Sequence, residues 1–196
     1  MFNTIVLATT NQGKRKEIES FFSEINFLTL LDFPATPPEE SGMTFIENAI
    51  IKARHAADIS GLPALADDSG LCVQALDEAP GVFSARFAGK AANDQQNIEK
   101  LLRLLSGQKE RQAFFYCALV LMRQAKDPAP IIAEGIWHGE ITTKTKGKNG
   151  FGYDPVFYDP RLGKMAVELS VFEKNQVSHR GQALSCLKAK FKQLKI

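Results

Sequence analysis

The stretch LPALADDSGL, residues 62–71, decides how the chain is read. An apolar run leads to Asp67 and Asp68, passes Ser69 and Gly70, and turns apolar again at Leu71. Leu65, Ala66 and Leu71 mark both flanks as buried. Residues 62–66 therefore read as a strand entering a core, Ser69-Gly70 as a sharp turn, and residues 70–76 as a further extended run. Two adjacent carboxylates at that position repel each other and lose hydration. They are tolerable where a cation or a solvent-filled cleft receives them. Successive strand side chains point to opposite faces, so the two aspartates should have different surroundings and different tasks. Oxygen donors with few nitrogens beside them suit a hard cation, Mg²⁺ more than Zn²⁺. The ordinary alternative is a turn or cap pair.

Outward from this stretch, strands and helices intermix. On the N-terminal side, residues 4–8 (TIVLA) read as a short buried strand, 9–13 as a polar turn, 14–22 as a helix and 27–31 as a second strand. Residues 34–42 (PATPPEESG) form a loop, because three prolines and a glycine exclude regular structure. A helix starts at Thr44, which has the capping-box spacing with Glu47. It carries Phe45, Ala49, Ala53 and Ala56 at helical intervals and ends at Gly61. On the C-terminal side, residues 79–91 read as a loop and 94–105 as a helix with Ile98, Leu101, Leu102 and Leu105 on one side. Residues 113–122 and 131–141 read as long strands around the Asp127-Pro128-Ala129-Pro130 turn, an antiparallel pair. Residues 144–152 make a basic, glycine-containing loop and 156–158 a short strand. A last helix runs from Ser178 to the end, with Leu184, Leu187, Phe191 and Leu194 on one face. The pattern is one α/β domain over residues 1–196, built on a mixed sheet with room for two lobes.

Bulk composition excludes several classes. The chain has 196 residues, 44% hydrophobic and 23% charged, ordinary for a globular protein. A net charge of +2 is too small to argue for nucleic acid. No apolar run approaches the roughly 20 residues that span a bilayer, and the N-terminus lacks the basic region of a signal peptide. Cys72, Cys117 and Cys186 are far apart and odd in number, and read as buried reduced thiols of a cytoplasmic protein. The three histidines, His55, His138 and His179, lack zinc-ligand spacing with them.

Five further segments carry candidate chemistry. ATTNQGK, residues 8–14, places a turn at a helix N-terminus, where backbone N–H groups, Asn11 and Lys14 suit a phosphate. It lacks the Walker A spacing, and a plain capped helix start explains it equally well. Glu39-Glu40, in the proline-rich loop, is a solvated pair unless a second carboxylate joins it at a metal. Arg86 in SARFAG is a phosphate contact or a packed ion-pair partner. NGFGYDP, residues 149–155, places Phe151, Tyr153 and Asp154 among glycines. Aromatics in such loops stack on bases, and core aromatics on a bulged strand are the ordinary alternative. In EKNQVSHRGQAL, residues 173–184, Ser178 is a good N-cap, which puts His179 and Arg180 in the first turn, where the dipole disfavours cations. Ligand contact is one cause and a salt bridge to Glu173 another. Lys188, Lys190, Lys192 and Lys195 suit the negative end of the last helix and are not read as a nucleic-acid patch.

Together ATTNQGKRKE, EESGMTFIENAIIKA, LPALADDSGL, APGVFSARFAG, GFGYDPVF and SHRGQAL, in that order, resemble the non-canonical purine nucleoside triphosphate pyrophosphatase family (inosine/xanthosine triphosphate pyrophosphatases). The matching segments run from Leu7 to Leu184. The resemblance implies an elongated mixed β-sheet flanked by helices, in two lobes with an active-site cleft between them. It implies a cytoplasmic homodimer with no membrane or nucleic-acid partner. It also implies Mg²⁺-dependent hydrolysis of ITP, dITP and XTP to the monophosphate and pyrophosphate. It assigns the triphosphate to Thr9, Thr10, Asn11, Gln12, Gly13 and Lys14, with Lys52 facing the phosphates. Glu39 and Asp68 are assigned to Mg²⁺, and Asp68 is the proton acceptor. Ser69 touches substrate. Phe151, Gly152, Tyr153 and Asp154 form the base pocket, and Lys174, His179 and Arg180 complete the contacts. The family's Arg-x-Pro-x-Gly run before FGYD is replaced here by Thr143-Lys144-Thr145-Lys146-Gly147. The rigidity of that loop and the role of its arginine therefore do not carry over. A septum-inhibitor-type nucleotide pyrophosphatase and a non-catalytic nucleotide-binding module are the alternatives.

Overall fold

A computed structural model describes residues 2–34, 36–147 and 150–194. The chain begins with β1 (Thr4–Leu7), α1 (Gln12–Phe21) and β2 (Asn26–Thr29). It continues through α2 (Phe45–Ser60), β3 (Ala64–Val73) and α3 (Asp94–Leu104). The long strands β4 (Gln112–Met122) and β5 (Ile131–Ile141) lead to short β6 (Phe157–Asp159) and β7 (Lys164–Met165). Two helices, α4 (Val171–Val177) and α5 (His179–Leu194), close it. Strand order is β2-β1-β3-β4-β5-β6-β7. β1 lies parallel to β2 and β3, whereas β6 lies antiparallel to β5 and β7, so the sheet is mixed.

The stretch around Asp67-Asp68 corrects the expected turn. β3 runs unbroken through Asp67, Asp68, Ser69 and Gly70. Small residues on either side of the pair let the strand stay extended, and the polar groups find partners instead of solvent.

The chain divides into two compact units. The first comprises Met1–Asp68, Cys117–Gly135 and Arg180–Ile196. Its core gathers Ile5 and Leu7 of β1, Ile18 and Phe22, Leu65 of β3, Leu119 and Leu121 of β4, and Leu184, Leu187 and Phe191 of α5. Leu194, expected on that same face, is 55% exposed in the last turn of the helix. α2 presents Ala49, Ala53, Ala56 and Ala57, all buried. It starts on the Thr44–Glu47 capping box and ends at Gly61, whose φ of 66° is the left-handed conformation glycine adopts freely. Asp127 accepts from the Arg123 guanidinium and from the Arg123 and Ala129 backbone N–H groups, which staples the chain reversal between β4 and β5.

The second unit comprises Ser69–Tyr116 and Ile136–His179. Its core holds Leu71, Val73, Ile98, Leu101, Leu105, Phe115, Trp137 and Phe157. The Trp137 indole N–H donates to the buried Asp159 carboxylate at 2.7 Å. The segment read as a plain loop contains a 3-10 helix, Gly81–Arg86, and Arg86 there lies over the Phe83 ring, 5.2 Å from its centre. The departure before FGYD is fastened locally, with the Lys146 ammonium 2.6 Å from Glu168. Asn149 and Lys195, read above as part of the aromatic loop and the basic helix, lie outside the described residues.

Candidate active site

The register of β1 against β3 builds the centre of the first unit. Leu7 pairs with Leu65, and the Ala8 N–H donates to the Leu65 carbonyl. β3 therefore continues past the carboxyl end of β1, and Asp67 and Asp68 lie beside the loop that leads into α1. Ligands in open α/β sheets bind outside the carboxyl ends of parallel strands. In that loop Asn11 caps α1, its Oδ1 accepting from the Lys14 N–H at 3.0 Å. Thr9 Oγ1 accepts from the Asn11 N–H at 3.2 Å. Thr10, Asn11 and Gln12 are exposed, so the positive end of the helix faces solvent.

The two aspartates diverge as strand alternation requires. Asp67 points to the side of α1 and α5, with its side chain fully buried. Its Oδ1 accepts from Lys14 Nζ at 2.5 Å and its Oδ2 from Arg180 Nε at 2.7 Å. The Cys117 thiol donates to Oδ2 at 3.3 Å. Burial alone would raise the Asp67 carboxyl, but Arg180 and Lys14 overcome it and hold it well below the usual carboxylate range. Burial, then Asp67 itself, pushes the Cys117 thiol well up, so it stays a protonated donor. Arg180 Nη1 is held in turn by Glu17 at 2.7 Å, one helical turn after Lys14. At neutral pH this aspartate is an anion that aims two cations.

Asp68 points the other way, to α2. Its Oδ1 accepts from Lys52 Nζ at 2.5 Å. Lys52 also reaches the Asp67 carbonyl at 2.9 Å and Glu40 Oε1 at 3.0 Å. Burial raises the Asp68 carboxyl above its ordinary value despite the Lys52 charge, which makes it a better base than a solvated aspartate. Lys52 loses hydration, but Asp68 and Glu40 more than compensate and keep its ammonium protonated.

Glu40 reaches this point because one edge of α2 fastens the proline-rich loop. Asn48, buried, holds Gly42 from both sides, accepting from its N–H at 2.8 Å and donating to its carbonyl at 3.3 Å. Lys52, one turn on, holds Glu40, and His55 Nε2 lies 2.8 Å from the Thr36 carbonyl. Gly42 has to be glycine, since a Cβ there would sit 2.7 Å from Glu47 Cβ.

The donor set fits a hard divalent cation. Two carboxylate oxygens and a backbone carbonyl converge on one point that already carries positive charge. Among the described residues no group of three or more His, Cys, Asp or Glu side chains gathers. Mg²⁺ commonly takes one or two carboxylates and completes its shell with water and phosphate oxygen, so two suffice.

In the second unit a loop is held around Phe151. The Phe151 N–H donates to Asp154 Oδ2 at 3.1 Å, and Lys174 Nζ donates to that oxygen at 2.5 Å. The same ammonium lies 4.6 Å from the Phe151 ring centre. The Gly152 N–H donates to Asp94 Oδ2 at 2.7 Å, at the start of α3. Tyr153 is core, its hydroxyl donating to the Ser84 carbonyl at 2.9 Å. His179 is buried with its ring stacked on Phe115, centroids 4.8 Å apart and planes at 12°.

The sequence of the chain matches the Ham1 family over residues 5–190. The chain belongs to the Ham1 family. Similar relatives include the dITP/XTP pyrophosphatase of Chromobacterium violaceum, 52% identical over 196 residues, which cover 99% of this chain and 100% of that protein. The dITP/XTP pyrophosphatase of Pectobacterium atrosepticum is also 52% identical, over 93% and 95%. Among solved structures, a Ham1 protein from Coxiella burnetii superposes with a TM-score of 0.92 at 50% identity, over 98% of this chain and 100% of that one. The Staphylococcus aureus Ham1 protein gives 0.89 at 40%, over 97% and 99%.

Seen residue by residue, this Ham1 chain groups Lys14, Lys52 and Asp68 in the first unit, beside the loop of Thr9, Thr10, Asn11, Gln12 and Gly13. It links Glu40 to Asp68 through the Lys52 ammonium, whereas Glu39 is exposed. Arg180 is committed to Asp67 and Glu17 rather than to Glu173, which instead pairs with Lys164. Phe151, Gly152, Asp154 and Lys174 gather in the second unit, Tyr153 and His179 lie in its interior, and Ser69 is half-buried in β3. Asp67, expected to differ from Asp68, is the one that holds the two cations, whereas Glu17, Cys117, Asn48 and Asp94 are site-building residues that the motifs did not single out. Only Glu17 left a signal, since three residues after Lys14 it shares that helix face.

Proposed function

We propose that the chain hydrolyses the α–β phosphoanhydride bond of dITP, ITP and XTP, giving the nucleoside monophosphate and pyrophosphate. The observation that carries this is the cluster of the first unit. A helix-capping loop, two lysines and an aspartate with raised basicity meet beyond one strand end, in a chain about half identical to dITP/XTP pyrophosphatases.

Phosphoanhydride hydrolysis asks the protein mainly for positioning and charge stabilisation. The loop N–H groups and Lys14 bind the triphosphate, and Asp67 aims Lys14 by holding its ammonium from behind. Asp68 orients the attacking water and takes its proton. An ordinary aspartate, with a pKa of about 3.9, is a weak base at neutral pH; burial raises Asp68 but a bound cation would lower it again, so its main task is to position the water. Glu40 and Asp68 would hold Mg²⁺, which when bound supplies Lewis-acid charge neutralisation. By the resemblance the purine is assigned to the loop of Phe151, Gly152, Tyr153 and Asp154, with Lys174, His179 and Arg180 completing the nucleotide contacts. A 6-oxo base offers an acceptor at O6 and a donor at N1, the reverse of adenine. A donor facing O6 leaves adenine unpaired and can discriminate by about 10⁴. Three free cysteines suit a reducing compartment, and no helix of the described residues is long and apolar enough to cross a membrane. A cytoplasmic homodimer is part of the proposal, and light scattering on the eluting protein tests the dimer.

The deciding experiment is a nucleoside triphosphate panel with separate detection of pyrophosphate and orthophosphate, with and without Mg²⁺. Pyrophosphate from dITP, ITP and XTP, far above ATP and dependent on Mg²⁺, is expected. Orthophosphate as the first product, or equal turnover of ATP, refutes the assignment.

A further inference from the structure

One ammonium group spends its three donors on three oxygens. Lys52 Nζ lies 2.5 Å from Asp68 Oδ1, 2.9 Å from the Asp67 carbonyl and 3.0 Å from Glu40 Oε1. A lysine has three N–H donors and no acceptor, so this oxygen cage accounts for its whole capacity. The cage counts two carboxylates against one positive charge, an imbalance that a divalent ion would cancel. It is not sealed, since the Lys52 and Glu40 side chains keep 13% and 28% of their exposure. α2 fixes the lysine backbone through its buried alanines, while the four-carbon stem leaves the ammonium free to swing.

We propose that Lys52 is an exchangeable counter-ion. It holds Glu40 and Asp68 together in the ligand-free protein, leaves the cage when a divalent metal enters, and turns to the phosphates of the nucleotide. The inference rests on the metal-dependent hydrolase reading above. Metal alone must send the displaced ammonium into water, whereas with nucleotide present that ammonium finds a phosphate. Metal and nucleotide therefore bind with positive coupling, reciprocal by linkage.

The test is Mn²⁺ binding without nucleotide, followed by calorimetry and by the free-ion electron paramagnetic resonance signal, in wild type, Lys52→Met and Lys52→Arg. Lys52→Met should bind Mn²⁺ about tenfold more tightly than wild type, within the usual range for coupled sites. Lys52→Arg, which keeps the charge, should stay near wild type. In EDTA, Lys52→Met should melt below wild type, and Mn²⁺ should raise its melting temperature by more. Lys52→Gln carries the same expectations should Lys52→Met not fold. Equal or weaker Mn²⁺ binding by the folded neutral variant overturns the exchange. Turnover of dITP by wild type is measured separately. Its absence would sink the hydrolase assignment while the Mn²⁺ comparison still decides the role of Lys52.

Discussion

Replacing Asp67 by asparagine tests the claim that this residue is a buried anion aiming two cations. The amide keeps one acceptor oxygen but turns an N–H₂ toward either Lys14 Nζ or Arg180 Nε, donor against donor. Both contacts are short, 2.5 and 2.7 Å, and the carboxylate is fully buried. Removing one partner of a buried ion pair costs about 3–5 kcal/mol. Two features place Asp67→Asn at the lower end. Arg180 retains Glu17, and the Lys14 side chain, 17% exposed, can turn to water. A loss of about 3 kcal/mol is a large share of the roughly 5–15 kcal/mol that holds a typical domain folded. Urea unfolding followed by far-ultraviolet circular dichroism at pH 7 measures it. The pH dependence is a second readout. The folded-state carboxyl is depressed, so its contribution is fully present above the unfolded value of about 3.9 and lost as pH falls toward the folded value. The stability gap between wild type and variant should stay constant from pH 7 to 5 and narrow below about pH 4. A gap under about 1 kcal/mol, the level of an exposed pair, or one that does not narrow in acid, would refute the buried-anion account.

Three further outcomes follow from particular contacts. Asp68→Asn should lower pyrophosphate release by about 10²–10⁴, the usual worth of a positioned base, with the circular dichroism spectrum unchanged; an unaltered rate removes Asp68 from the chemistry. Gly139→Ala should destabilise by about 1–3 kcal/mol in urea melts, because its Cβ would lie 2.5 Å from the Tyr158 carbonyl and 2.6 Å from Phe157 Cζ, forcing β5 and β6 apart. Asp94→Ala should raise KM for dITP more than it lowers kcat, since it frees the Gly152 N–H and loosens the loop carrying Phe151; a change confined to kcat contradicts that positioning role.

Local chemistry made much of this legible in the sequence. The Thr44–Glu47 box and Gly61 mark the ends of α2, and β5 spans the residues its alternation predicts. The opposed roles of Asp67 and Asp68 follow from strand geometry alone. What escaped depends on long-range placement. Arg180 meets Asp67 across 113 positions of chain, and no local pattern announces such a pair. Glu40 rather than Glu39 pairs with Lys52, on a loop whose path Asn48 and His55 fasten, a register that adjacent identical residues cannot reveal. α4 has seven residues, and its Val171 and Phe172 are more than 70% exposed. It has no buried stripe, and so no periodicity to detect.

The way the aromatic residues are shared out has an optical consequence. The single tryptophan, Trp137, and the three tyrosines, Tyr116, Tyr153 and Tyr158, all fall in the second unit, while the first has only phenylalanine. Intrinsic emission excited at the red edge of the absorption band therefore watches one half of the molecule and is blind to the other. A denaturation curve taken by fluorescence and one taken by circular dichroism will coincide only if both halves lose structure together. The unaltered protein thus carries its own built-in test of whether they unfold as one.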